Sequence, residues 1–191
     1  LTYVRNTGDD LDGIPLLDDL QRDKALRTIV CGYFYRCVWP RGTSDGAKAT
    51  WIRARKHYSS ELRDEIENFA RANYDSRGLI EETMRRALAE RGAQSRLEHA
   101  FIEWKEQEAL IVPGRECVWL DPYMVNAVLA FAHGRREPWL IWYEGIPFGD
   151  ALASSGMPVY GADSRPELDP AAKSIAVSLN AHTESVNLQR F

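Results

Sequence analysis

Cysteine is scarce in this sequence: Cys31, Cys37 and Cys117 are the only three in 191 residues. An odd, sparse set excludes a disulfide framework and points to reduced thiols in a cytoplasmic setting. No Cys-x-x-Cys pair occurs, and His57, His99, His133 and His182 have no partner at helical i,i+4 spacing. Zinc-type ligand spacing is therefore missing, and the residues read as core cysteines and surface histidines. Long apolar runs are missing too. The nearest candidate, residues 29–39, is interrupted by Arg36, far short of the roughly 18 residues a membrane span needs. The N-terminus Leu1-Thr2-Tyr3-Val4-Arg5-Asn6 lacks the basic start and apolar core of a signal peptide. Nor is there an excess of positive charge. Lys and Arg number 24 against 28 Asp and Glu, a net charge of −4, so the bulk charge does not mark a basic nucleic-acid binder.

Several catalytic signatures are also absent. No Gly-x-x-x-x-Gly-Lys-Ser/Thr and no Gly-x-Gly-x-x-Gly after a strand occurs, which leaves no phosphate-binding loop. The stretch from Asp45 to Thr50 has a Lys and a Thr but one Gly, and reads as a loop feeding a helix. No Gly-x-Ser-x-Gly elbow is present. Paired carboxylates such as Glu81-Glu82 lie among helical charges and read as a solvated face.

What is present is ordinary globular composition, 45% hydrophobic and 27% charged, enough for one domain or two. Residues 1–13 are polar and read as a loop or frayed end. With Pro15 in a first turn, Leu16, Leu20, Ala25 and Ile29 predict a helix towards Trp39, stopped by Pro40 and Gly42. Residues 41–47 read as a loop. Trp51, Tyr58, Leu62, Ile66 and Phe69 recur at helical spacing. A further helix runs from about Gly78 to a stop at Gly92. Ser95 and Glu98 form a capping box that opens a helix carrying Leu97, Phe101 and Trp104 on one face. Residues 16–110 thus read as all-helical. The aromatics Tyr33, Phe34, Tyr35, Trp39, Trp51 and Trp104 read as core.

The pattern changes near Pro113-Gly114. Cys117 to Leu120 is a strand candidate. Asp121 as N-cap with Pro122 at the first helical position opens a helix ending at Gly134. Pro138 to Tyr143 is an apolar run of strand length. Pro147 to Ser155 is a short helix closed by Gly156, and Met157 to Tyr160 a short strand. Residues 161–173 form a polar loop before a last strand from Ser174 to Leu179. Strands apolar along their whole length, alternating with helices, predict an α/β fold with a parallel sheet covered on both faces. The division is then a helical region at 1–112 and an α/β region at 113–191. Functional residues in such a sheet gather past the carboxyl ends of the strands, which directs attention to the polar stretch from Asn180 to Gln189.

At these residues the sequence resembles a family. Ser178, Ala181, Asn187 and Leu188, with Val186 between, match the spacing of motif V of superfamily 2 helicases in the Swi/Snf-like branch common in bacteriophage genomes. Ser174-Ile175, His182 and Gln189 fit the phage variant. Leu140 to Tyr143 with Phe148 to Ala153 resembles motif IV and its helix, and Val159 to Gly161 the next strand. Cys31 to Arg36, Trp39-Pro40 and Trp51 to Arg55 resemble the helical insertion before this lobe. The departures fall inside motif V: two of the family's glycines fall at His182 and Thr183, the last at Ser185, and the phage-type Thr at Glu184. Those glycines let backbone approach nucleic acid, and Glu184 puts negative charge where phosphates would pass.

The resemblance implies a second RecA-like lobe, with a helical insertion, of an ATP-dependent DNA helicase or translocase. Leu1 and Phe191 then read as cut points in a longer chain. ATP and Mg belong to the two-lobed parent, whose N-terminal lobe would be a partner, and none is expected bound to this chain alone. Nucleic-acid contacts are implied at Ser178, Asn180, His182, Thr183, Asn187 and Gln189, with Arg53 and Arg55 adding phosphate contacts from the insertion. Two alternatives stay open. One is a non-enzymatic interaction or scaffold module derived from a degenerate lobe. The other is a small-molecule α/β enzyme, for which only Asp121, Glu144 and the motif V loop offer polar groups.

Overall fold

The computed structural model describes residues 1–69, 77–134, 137–161 and 174–180. The fold is mixed α/β, with seven helices and five strands among the described residues. The chain divides into two compact units, one of Leu1–Arg27 with Tyr35–Val118, the other of Thr28–Phe34 with Trp119–Phe191.

The first unit is mainly helical. It begins with a helix, α1 (Thr2–Thr7), where the polar sequence predicts a loop. Val4, fully buried, anchors the turn, and Gly8 closes it in the left-handed region at φ 73°. Pro15 does not open the next helix; it bridges to Asp9 instead. α2 (Asp19–Val30) follows and buries none of its residues. Its expected continuation to Trp39 fails at Gly32, where φ is +92°. Beyond that glycine, the aromatic run adopts a strand, β1 (Tyr33–Val38), as aromatic and branched side chains favour. Residues 16–110 are therefore not all-helical.

α3 (Asp45–Phe69) starts earlier than the apolar periodicity suggests. Ser44 is the reason: its Oγ accepts from Ala47 N–H at 3.2 Å and its carbonyl accepts from Lys48 N–H. The stretch from Asp45 to Thr50 is thus helix rather than loop. α4 (Arg77–Arg91) ends before Gly92, at φ 72°. α5 (Arg96–Leu110) opens on the predicted capping box, with Ser95 and Glu98 each holding the other's backbone N–H. α3, α4 and α5 share one core. Trp51, Ala54, Tyr58 and Leu62 of α3 pack with Ile80 and Met84 of α4 and Leu97, Ala100, Phe101 and Trp104 of α5. The Trp51 ring stands edge-on to both Trp39 and Trp104, at 5.3 and 4.8 Å between centroids. The expected core aromatics are all buried or half-buried.

β2 (Gly114–Trp119) follows α5. It does not join the later strands in one sheet, as its sequence suggests; it pairs with β1 in a separate two-stranded sheet. The second unit continues through α6 (Tyr123–His133), β3 (Trp139–Tyr143), α7 (Ile146–Ser154), β4 (Val159–Tyr160) and β5 (Ser174–Ser178). α6 begins one residue past Pro122, because Asp121 Oδ1 accepts from Tyr123 N–H at 2.9 Å. β3, β5 and β4 form a parallel three-stranded sheet in that order. The last strand is thus inserted between the two earlier ones, and all five of its residues are buried. Leu179, expected within the strand, lies exposed just beyond it. Among the described residues no helix is long and apolar enough to cross a membrane.

Candidate nucleic-acid interface

The carboxyl edge of the parallel sheet is where the sequence directs attention, and the pairing aligns it. Tyr143, the last residue of β3, stands opposite Ser178, the last of β5. Immediately past the strands, Leu179 N–H donates to Tyr143 O at 2.8 Å. Asn180 Nδ2 then donates to Glu144 O at 3.1 Å. The side-chain amide of Asn180 therefore ties the chain after β5 to the chain after β3. Ser178 is buried and Asn180 exposed.

Below this clamp the Tyr143 ring is packed against α7. A Cβ at Gly149 would lie 2.5 Å from Tyr143 Cε2, so the ring fits because residue 149 has no side chain. The Tyr143 hydroxyl reaches Tyr160 O at 3.5 Å. Burial, with the negative charge of Asp150 adding to it, pushes this phenol above its ordinary pKa. Gly145 has a comparable role. A Cβ there would land on Tyr33 Oη, so Tyr33, 1% exposed, closes over the turn between β3 and α7. Its ring meets that of Trp119 at 5.4 Å. Nearby, Leu120 and Asp121 N–H groups donate to Gly32 O at 2.7 and 3.2 Å. Burial, then the charge of Glu144, raises the Cys31 thiol above its usual range. That Tyr33 meets Trp119 and Gly145 was not legible in the sequence. The ends of the expected strands single out Asp121 and Glu144 alone, and Tyr33 reads as helical.

Among its described residues the second unit carries Asp121, Glu137, Glu144 and Asp150, and no Lys or Arg. Phosphate binding at this edge has no cation among these residues to draw on.

Of the other sequence-derived site residues, His182, Thr183, Asn187 and Gln189 lie outside the described residues, as do Glu184 and Ser185. Arg53 and Arg55 both lie on α3 in the first unit, two residues apart and differently placed. Arg53 is exposed. Arg55 is drawn inward: Nε donates to Pro15 O at 2.6 Å and Nη2 to Gln21 Oε1 at 3.1 Å. Its guanidinium lies over the rings of Trp51 and Trp104, at 5.3 and 5.1 Å. Burial, with the nearby Arg115 charge, pushes its pKa down to about 10, which still leaves it charged at neutral pH. Arg55 spends its donors inside the fold.

The thiols and carboxylates differ from their sequence reading as well. Cys31, Cys37 and Cys117 are free and half-buried rather than core residues. Glu81 is not on a solvated face: it is 8% exposed and accepts from the Tyr58 hydroxyl. Arg77, Arg85 and Lys105 surround its carboxylate, at 3.3, 3.4 and 3.8 Å. Glu82, one residue on, does face outwards, towards Arg85 and Arg86. Among the described residues no cluster of His, Cys, Asp and Glu could hold a metal ion.

Compared with family models, curated proteins and solved structures, the chain matches none.

Proposed function

We propose that this chain is the second RecA-like lobe, with its helical insertion, of a cytoplasmic ATP-dependent DNA helicase or translocase. One observation carries the reading. The strand that resembles motif V is the central, fully buried strand, and the strand that resembles motif IV lies parallel beside it with their carboxyl ends level. An inserted central strand makes a switch in strand order, and ligands of open parallel sheets meet the loops at such a point. Asn180, held on Glu144 O, would launch the loop bearing His182, Thr183, Asn187 and Gln189 from that edge. In the two-lobed parent, ATP and Mg would sit between the lobes, and closure and reopening would step the motor along DNA. This chain contributes nucleic-acid contacts and coupling, and by itself neither binds ATP tightly nor hydrolyses it.

The test is fluorescence anisotropy of the 191-residue chain with labelled single- and double-stranded oligonucleotides at low salt. Binding is expected, weakened at least fivefold by the paired substitutions Asn187→Ala and Gln189→Ala. No binding, or binding indifferent to both changes, would sink the reading.

A second reading is favoured by the charge of the same edge. Among the described residues the strand ends carry Asp121 and Glu144 and no Lys or Arg, which suits a protein partner better than a phosphate backbone, as expected of a degenerate lobe that serves as a non-enzymatic interaction or scaffold module.

A further inference from the structure

Within the first unit, α3 carries a row of cations on the side away from its core. Trp51, Ala54, Tyr58 and Leu62 form the inward face of the helix. At about 3.6 residues per turn, Arg53, Lys56, Ser60 and Arg63 fall on the opposite face, and all four are exposed. Among the described residues, Arg53, Lys56 and Arg63 make no ion pair or side-chain hydrogen bond. Other cations of this unit are committed. Arg77, Arg85, Arg86 and Arg91 of α4 each meet a carboxylate, and Lys48, earlier on α3, meets Asp45 at 2.9 Å. His57, beside the row, lies between Glu103 and Glu61, at 3.2 and 3.9 Å. Arg63 Nη2 rests beside Gly8, 3.0 Å from where a Cβ would stand. Asp64 and Glu67 follow Arg63 on the helix, so the positive stretch runs from residue 53 to residue 63.

Charge without apolar surface determines what kind of partner fits. Large apolar side chains are exposed elsewhere in the chain, but none among the described side chains of α3. A protein partner draws on apolar anchors at the centre of its interface, and a membrane surface on apolar residues beside the cations of a helix. A phosphate backbone needs neither, since each Lys or Arg that faces it releases counterions and affinity follows the number of such contacts. The row covers about 15 Å of helix. One strand of a duplex places a phosphate about every 3.4 Å along the axis, so the row spans about four of them. Ser60 adds a hydroxyl donor between Lys56 and Arg63. The row is also held on a fixed support: the Trp51 and Tyr58 rings pack on those of Trp104 and Phe101 of α5.

We propose that the exposed face of α3 is a second nucleic-acid contact, on which Arg53, Lys56 and Arg63 hold the phosphates of one strand without reading its sequence. Arg55, turned into the fold, takes no part. The proposal deepens the helicase-lobe reading and rests on it for the class of partner. Its residues are separate from the loop after Asn180.

The experiment measures fluorescence anisotropy of labelled single- and double-stranded oligonucleotides with the 191-residue chain, from about 50 to 200 mM salt. Arg53→Gln, Lys56→Gln and Arg63→Gln should each weaken binding at least threefold at the low end, alike for oligonucleotides of different sequence. The triple variant should lower the slope of log affinity against log salt by about 2–3. Arg86→Gln removes the same charge from an exposed side chain that is ion-paired to Glu82, and should change affinity less than twofold. Circular dichroism melts verify that each variant keeps its fold, and the single variants carry the test if the triple does not. Row variants that bind like wild type, or an Arg86→Gln variant that loses as much as they do, overturn the proposal. If in that case Asn187→Ala with Gln189→Ala still weakens binding, the helicase-lobe reading survives. Binding that follows the α3 row and ignores Asn187 and Gln189 keeps the row and sinks that reading, and a wild-type chain that binds no oligonucleotide sinks both. A polyglutamate peptide that binds through the same three side chains more tightly than the oligonucleotides overturns the proposal in favour of an acidic protein partner.

Discussion

The Tyr58 hydroxyl of α3 donates to Glu81 Oε1 of α4 at 3.0 Å, with the tyrosine fully buried and the glutamate nearly so. A carboxylate out of water needs partners, and Tyr58 is joined by Arg77, Arg85 and Lys105. This arrangement attaches α4 to α3 and α5 through charge as well as through Ile80 and Met84.

Replacing Tyr58 with Phe keeps the ring contact with Phe101 and removes one donor from Glu81. The loss should be about 1–2 kcal/mol at neutral pH, measured by urea unfolding. Burial, then the charge of Glu81, holds the Tyr58 phenol above its ordinary pKa. A raised folded pKa means that stability is intact below the unfolded value of about 10 and declines as the pH rises beyond it. The difference between wild type and Tyr58→Phe should therefore shrink above about pH 10. A difference that stays constant to pH 11 would contradict the buried pair.

Glu98 should govern the acid side of the first unit. Its carboxylate accepts from Gln94 and Ser95 N–H at 2.7 and 2.9 Å and from Arg91 at 2.7 Å. The Arg91 hydrogen bond, then the backbone donor of Gln94, lowers its pKa to about 2. A lowered folded pKa gives stability that is present above the unfolded value of about 4.3 and lost as the pH falls towards 2. Glu98→Gln should cost about 1–2 kcal/mol at pH 7, and that cost should fade between about pH 4.3 and 2. Thermal melts of the two proteins across this range provide the comparison, and a gap unchanged at pH 2 would count against the assignment.

The capping box was readable because its signal is local: two residues three apart satisfy each other's backbone. The parallel order of β3, β4 and β5 was readable as a class, since strands apolar throughout need cover on both faces. Three things were not readable, and each depends on a distant partner. The strand after Gly32 looked like more helix because the helical spacing of Leu16, Leu20, Ala25 and Ile29 was carried on towards Trp39, and the pairing with β2 decides against it. Glu81 looked solvated because its neighbours in sequence are charged, while Tyr58 and Lys105, which surround it, are 23 and 24 residues away. Tyr33 gave no sign that it would close over Gly145, since that contact spans 112 residues.

Gly149 gives a test in which two principles oppose each other. Alanine is the better helix former by about 1 kcal/mol, yet its Cβ would press on the Tyr143 ring. Overpacking of a buried ring by a methyl group costs about 1–3 kcal/mol, so Gly149→Ala should destabilise the protein. Gly78, on α4 with open space where a Cβ would stand, is the control. Gly78→Ala should leave stability unchanged or raise it by up to about 1 kcal/mol. Guanidinium unfolding of both variants gives the signs directly. A Gly149→Ala protein as stable as wild type would mean that Tyr143 moves aside at no cost.

Arg53 and Arg55 look alike in sequence and should behave oppositely. The Arg55 guanidinium is hydrogen-bonded to Pro15 O and Gln21 and lies over two indole rings. Removing it leaves a buried carbonyl without its donor, and hydrogen bonds to charged groups are worth about 1.5–3 kcal/mol. Arg55→Ala should lose about that much stability, and Arg55→Lys most of it, since an ammonium lacks the planar fork that meets both acceptors. Arg53→Ala, at an exposed position, should change stability by less than about 0.5 kcal/mol. If α3 meets a phosphate backbone, Arg53 is the residue of the two with its charge outside. Its loss should then weaken oligonucleotide binding uniformly across sequences and lower the salt slope by about 1. Paired measurements of unfolding and of oligonucleotide affinity against salt separate the roles. An Arg53→Ala variant that unfolds early, or an Arg55→Ala variant that keeps full stability, would reverse the assignment of Arg55 to the fold and Arg53 to the surface.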